Sequence, residues 1–95
     1  MNTKKLLSNT ELASFSGQFS EILKSGISPL EGISIMLEDS SSAEEKEILT
    51  TMQKTLDSVG IFSMALEDAG VFPDYMLNMV RLGEQAGRLD EVMES

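Results

Sequence analysis

The sequence predicts an all-α domain, a compact bundle of about six short helices. Apolar residues recur three and four apart along nearly the whole chain. Serine, proline and glycine punctuate it where helices would start and stop. No segment shows the sustained alternation or β-branched run that a sheet would need. At 95 residues the chain can enclose one core but not two.

Residues 1–7 read as an N-terminal tail and residues 8–95 as the domain. The first helix opens on Ser8, which with Glu11 can form a capping box, serine hydroxyl and glutamate carboxylate each accepting the other's amide. Leu12, Phe15, Phe19, Ile22 and Leu23 line one face, Lys24 suits the negative end of the helix dipole, and Gly26 is the stop. In "SPLE", Ser28 is the next cap, Pro29 takes the first helical position where its missing N–H does no harm, and Glu31 completes a second box. Leu30, Ile33 and Leu37 mark the buried side of this short helix, which ends near Glu38 or Asp39.

The polar loop "DSSSAEE" leads to a third box, Ser42 with Glu45, and a stripe of Leu49, Met52, Leu56 and Val59 closed by Gly60. A fourth helix is expected over residues 63–69, stopped by Gly70. Pro73 starts a fifth, with Met76, Met79 and Val80 turned inward. The sixth starts just after Gly87, carries Leu89, Val92 and Met93, and runs to Ser95 without a terminating residue. That ending reads as a piece cut from a longer protein, before a membrane segment.

The formal net charge of −9 and the pI near 4.2 would repel a phosphate backbone, so a nucleic-acid partner is not expected. A basic protein partner or a divalent cation fits better. With no histidine and no cysteine, imidazole acid–base chemistry, a thiolate nucleophile, disulfides and thiolate zinc sites are excluded. No stretch approaches the roughly 20 apolar residues of a membrane helix, and "MNTKKLL" lacks the apolar centre of a signal peptide. The chain as given is expected to be soluble and intracellular.

Catalysis finds little support. Adjacent acidic pairs such as Glu38/Asp39 and Glu67/Asp68 do not converge on a helix, and no serine has a histidine to activate it. A calcium loop starting at Asp39 would put Glu44 at the sixth position, where glycine is required. The alternative function is an acyl-carrier-like acidic helical protein, because "LDSVGIFSMALED" places an Asp57-Ser58 pair before an acidic helix. In a carrier, however, the modified serine opens a helix, and Ser58 lies at the end of one. The methionines read as core filler by their spacing.

The most informative stretch is residues 81–93, "RLGEQAGRLDEVM". Glycine inside a helix costs about 1 kcal/mol relative to alanine, yet Gly83 and Gly87 stand one turn apart, in line with Met76 and Val80. Two absent side chains would let another backbone approach closely. Gly87 can also be the left-handed stop of one helix, leaving Gly83 as the genuine mid-helix cost. Glu84 has two readings: a surface or capping carboxylate, or a fixed acid bonding across the helix junction or to a partner. A phosphate loop is excluded, since no G-x-x-x-x-G-K-[ST] is present.

"GEQAGRLDEVM" resembles the Gly-Glu-x-Ser/Ala-Gly-x-Leu signature of the type II secretion F-protein domain, shared with the platform proteins of type IV pilus assembly. "FSGQFSEILKSGISPLEGI" is similar to that family's opening helix and turn at Phe15, Gln18, Phe19, Leu23, Gly26, Ile27, Leu30, Glu31 and Ile33. Gly60, Ala65-Leu66 and the "VFP" of residues 71–73 resemble its middle section. Departures are a gap one residue shorter between Gly60 and Ala65, and Ile61-Phe62 where the family is usually more polar.

The resemblance implies a non-catalytic cytoplasmic domain of an inner-membrane platform protein. Its partners would be the assembly ATPase and other inner-membrane components, and membrane helices would lie outside this chain. It also implies bundles that associate in pairs, with no cofactor beyond a divalent cation that an acidic interface could recruit, for which Glu84 is the candidate ligand. The residues expected to matter for structure or interaction are Gly26, Pro29, Gly83, Glu84 and Gly87.

Overall fold

Serines set the first three helix starts. A computed structural model describes residues 5–94; residues 1–4 of the expected tail and Ser95 lie outside the described residues. Before α1 (Asn9–Lys24), Ser8 and Glu11 make the full box, with Glu11 N–H donating to Ser8 Oγ at 3.1 Å and Ser8 N–H to Glu11 Oε1 at 2.8 Å. Before α2 (Pro29–Asp39) and α3 (Ala43–Val59) only the serine half forms: Glu31 N–H reaches Ser28 Oγ at 3.2 Å and Glu45 N–H reaches Ser42 Oγ at 3.0 Å. The carboxylates of Glu31 and Glu45 stay on the exposed side, where water can serve the cap amides instead. Leu7, the last residue of the expected tail, is tied to the body: its N–H donates to the Val71 carbonyl at 2.9 Å.

α4 (Phe62–Ala69), α5 (Asp74–Ala86) and α6 (Leu89–Glu94) complete the chain. Among the described residues there is no strand, and no helix is long and apolar enough to cross a membrane. α4 begins one residue earlier than expected because Phe62 is drawn into the core. Pro73 starts α5 as expected, as its cap residue.

Each helix packs against its neighbours in sequence, and α6 turns back onto α1, so the six form a closed ring. The four phenylalanines of the chain make its central feature. Phe19 stacks nearly parallel on Phe62 with ring centroids 4.4 Å apart, and Phe15 stacks on Phe19 and tilts against Phe72. Ile33, Leu49, Met52, Leu66 and Val80 fill the space around them, each 2% exposed or less.

Two expected core positions are outside. Val59 is the last residue of α3, where the chain turns away at Gly60, and it is exposed. Met79 lies about 100° around α5 from the middle of its buried face, a face made by Met76, Leu77, Val80 and Gly83. The methionine reading therefore holds for Met36, Met52, Met76 and Met93, while Met64 and Met79 reach solvent.

Candidate functional site

The end of α5 is a joint among three helices. Gly83 is buried in the last turns of α5. A Cβ built on it would lie 2.5 Å from Val92 Cγ2 and 3.2 Å from Val92 Cβ. The missing side chain thus chiefly admits a side chain of α6; the backbone expected to come close does so through the Arg88 carbonyl oxygen, 3.5 Å from that Cβ. Four residues on, Gly87 takes φ +70°, and its N–H donates to the Glu84 carbonyl at 3.2 Å while Arg88 N–H donates to the Gly83 carbonyl at 2.7 Å. These paired bonds close α5 and let α6 begin at Leu89. Gly87 allows the chain to turn, and Gly83 leaves the space into which α6 folds back.

Glu84, between them, reaches the opposite way. Its Oε2 accepts the Phe62 N–H at 2.6 Å, and both oxygens accept the Ser63 N–H, at 3.2 and 3.3 Å. These are the first two amides of α4, a helix whose own cap residue, Ile61, offers no acceptor. Unpaired amides and the positive end of the helix dipole favour a carboxylate there. Glu84 is therefore a helix cap contributed by a residue 22 positions away, which joins the two readings of it: it caps, and it does so across a helix junction. A carboxylate aimed at the positive end of a helix is a poor cation ligand, and among the described residues no three acidic side chains gather as a metal-binding group.

The first turn uses related devices. Gly26, at φ +83°, ends α1 with its N–H on the Leu23 carbonyl at 3.0 Å and the Ile27 N–H on that of Ile22 at 3.4 Å, and Pro29 is the first residue of α2. Pro29, Glu84 and Gly87 come together along one shallow groove of about 780 Å³, with Ile61, Gln85 and Leu89 among its other walls. Gly83, packed against Val92, and Gly26 are not among its walls. Ser58 is in the last turn of α3, so the helix-opening serine of a carrier is not formed.

The sequence stretch that suggested a family is thus a joint that uses its Gly83, Glu84 and Gly87. The model of the family described as type II secretion system (T2SS), protein F, matches residues 15–95. The chain belongs to this family. Relatives of the F-protein domain include a type IV pilus assembly protein PilC of Thermus thermophilus, 30% identical over 88% of this chain and 21% of its own length. The type II secretion system protein F of Pseudomonas aeruginosa is 28% identical over 94% of this chain and 22% of its own length. A protein transport protein HofC homolog of Escherichia coli is 33% identical over 78% and 19% respectively. The F-protein domain here spans about a fifth of the length of these relatives.

Sequence reasoning found Gly83, Glu84 and Gly87 but missed their counterparts, Val92 and the two amides of α4. It also missed Gly32, where a Cβ would lie 2.9 Å from Ile22 Cγ2 and 3.2 Å from Phe19 Cε1, so that α2 lies close on α1. One signal was available for Glu84: "GIFS" begins a helix without a capping side chain at Ile61, so the cap had to come from elsewhere.

Proposed function

We propose that this F-protein domain is a non-catalytic docking module on the cytoplasmic side of a membrane-embedded platform protein. It would hold the assembly ATPase in register with the other inner-membrane components as pilin-like subunits are polymerised. The domain works without a cofactor, pairs with a second copy of itself, and is followed in its parent protein by a membrane segment. The observation that carries the reading is the use of the signature residues. Gly83, Glu84 and Gly87 hold helices to one another, and the one carboxylate of the three, on the wall of a shallow groove, is taken up by the amides that open α4. The relatives' names, pilus assembly and secretion proteins, supply the setting.

The test is co-purification of the 95-residue chain with the secretion or pilus ATPase encoded in the same genome, at matched expression. A stoichiometric complex that survives gel filtration is expected. An ATPase that elutes apart from the chain at tens of micromolar would overturn the ATPase role.

A further inference from the structure

Ser20 is 3% exposed, and its Oγ is the one buried side-chain polar atom without a hydrogen-bond partner among the described residues. A hydroxyl buried without a partner works against the state that buries it, because its desolvation is not offset. Helix geometry identifies the element that covers it. Ser16, Ser20 and Lys24 stand four apart on one ridge of α1. Ser16 lines a groove together with Met93 and Glu94 of α6, and Lys24 pairs with Glu94. Phe19 and Ile22, on the other side of α1, face Gly32 of α2. The neighbours of α1 in the ring are α2 and α6, so the cover over Ser20 is α6.

That cover is lightly held. α6 has six residues, too few to stay helical once it leaves the body. On its apolar side it is held by Met93, which is buried, by Val92 seated against Gly83, and by the half-buried Leu89. On its polar side it is tied to α1 by the Lys24–Glu94 ion pair, both side chains half-exposed, and an exposed pair adds little. Half of its residues, Asp90, Glu91 and Glu94, are acidic, and Glu94 stands at the negative end of the helix dipole. Gly87, at φ +70°, sets α6 off from α5. The bonds that close α5 run to the Gly83 and Glu84 carbonyls from Arg88 and Gly87, ahead of α6, so α6 can leave without breaking them.

We propose that α6 is a clasp that opens as a unit about Gly87 while the other five helices stay folded. Closed, it completes the ring and keeps Ser20 dry. Open, the hydroxyl is hydrated, Met93 leaves the core, and the α1 ridge of Ser16 and Ser20 is bared together with the notch at Gly83. The orphan hydroxyl is the built-in contribution that favours release. This inference goes beyond the docking reading and does not rest on it.

The chain has no cysteine, so one introduced thiol reports opening without background. Met93→Cys and Leu66→Cys are each labelled with a thiol reagent in the 95-residue chain, both at buried positions. The opening constant from the labelling rate is compared with global unfolding of the same variant in urea. Met93→Cys should open at least about tenfold more often than it unfolds, whereas Leu66→Cys should open only by unfolding. Adding Ser20→Ala should make Met93→Cys open about fivefold less often, or rarer still. Because Met93→Cys trims a side chain of the clasp itself, hydrogen exchange of the Val92 amide, bonded to the Arg88 carbonyl at 3.1 Å, is followed in the chain without cysteine. Ser20→Ala should slow that exchange by the same factor. Opening of Met93→Cys no more frequent than its unfolding would overturn the proposal, as would a Val92 amide that Ser20→Ala leaves unchanged. Faster exchange in Ser20→Ala would overturn it too, by showing that the hydroxyl is satisfied when α6 is closed.

Discussion

Replacing Glu84 by alanine removes the side-chain acceptor that serves the start of α4. The Phe62 and Ser63 amides bonded to it belong to residues 1% and 3% exposed, so little water can take its place. A hydrogen bond to a charged acceptor contributes about 1.5–3 kcal/mol when buried. Glu84 is itself only half-buried, which places the pair of bonds nearer the lower end, at about 2–4 kcal/mol together. For a domain of this size each kcal/mol lowers the melting temperature by about 4–8 °C. Glu84→Ala should therefore melt roughly 8–32 °C below the parent, followed by far-ultraviolet circular dichroism. Amide exchange should show Phe62 and Ser63 losing protection first. Glu84→Gln keeps a carbonyl acceptor but loses the charge facing the helix dipole, and should cost about 1 kcal/mol. A melting temperature for Glu84→Ala within about 2 °C of the parent, with both amides still protected, would refute the capping role.

The two glycines should respond differently. Gly83→Ala drives a methyl into Val92 Cγ2 and should destabilise by about 1–3 kcal/mol despite the better helix propensity of alanine; adding Val92→Ala should recover part of that loss. Gly87→Asn should be nearly neutral in thermal melts because asparagine tolerates the left-handed conformation, whereas Gly83→Asn should not be. Ser20 is 3% exposed and its hydroxyl has no hydrogen-bond partner, so Ser20→Ala should leave the melting temperature unchanged or raise it. The Ser8 backbone N–H, and then its hydroxyl, hold the Glu11 carboxyl below its usual value. A lowered folded-state pKa means that this stabilisation is complete above the unfolded pKa and is lost as pH falls through the folded one. An NMR titration should give Glu11 a midpoint below that of a free glutamate, moved partway back by Ser8→Ala.

Helix existence was legible because it rests on local chemistry. Ser8, Ser28 and Ser42 cap what they precede, and the glycine stops lie where the apolar periodicity breaks. The start of α4 was less so. Phe62 belongs to the helix because its ring stacks on Phe19 and its amide is held by Glu84, partners 43 and 22 positions away in the chain. Met79 was placed on the wrong side for a related reason: α5 has enough apolar residues for two faces, and only the position of its neighbours shows which one is inward. Glu84 was singled out by resemblance, yet its role stayed open, since the groups it serves are backbone amides that any residues would have supplied.

The closed ring of helices has a mechanical corollary. A hoop that loses one connection stays threaded; it comes apart only when it is cut twice. Gly83 and Glu84 are consecutive residues, yet the first sets the contact of α5 with α6 and the second its bond to α4. A single event at the end of α5 can thus undo two successive joints. The segment that it would loosen is α5 itself, the stave that both joints hold.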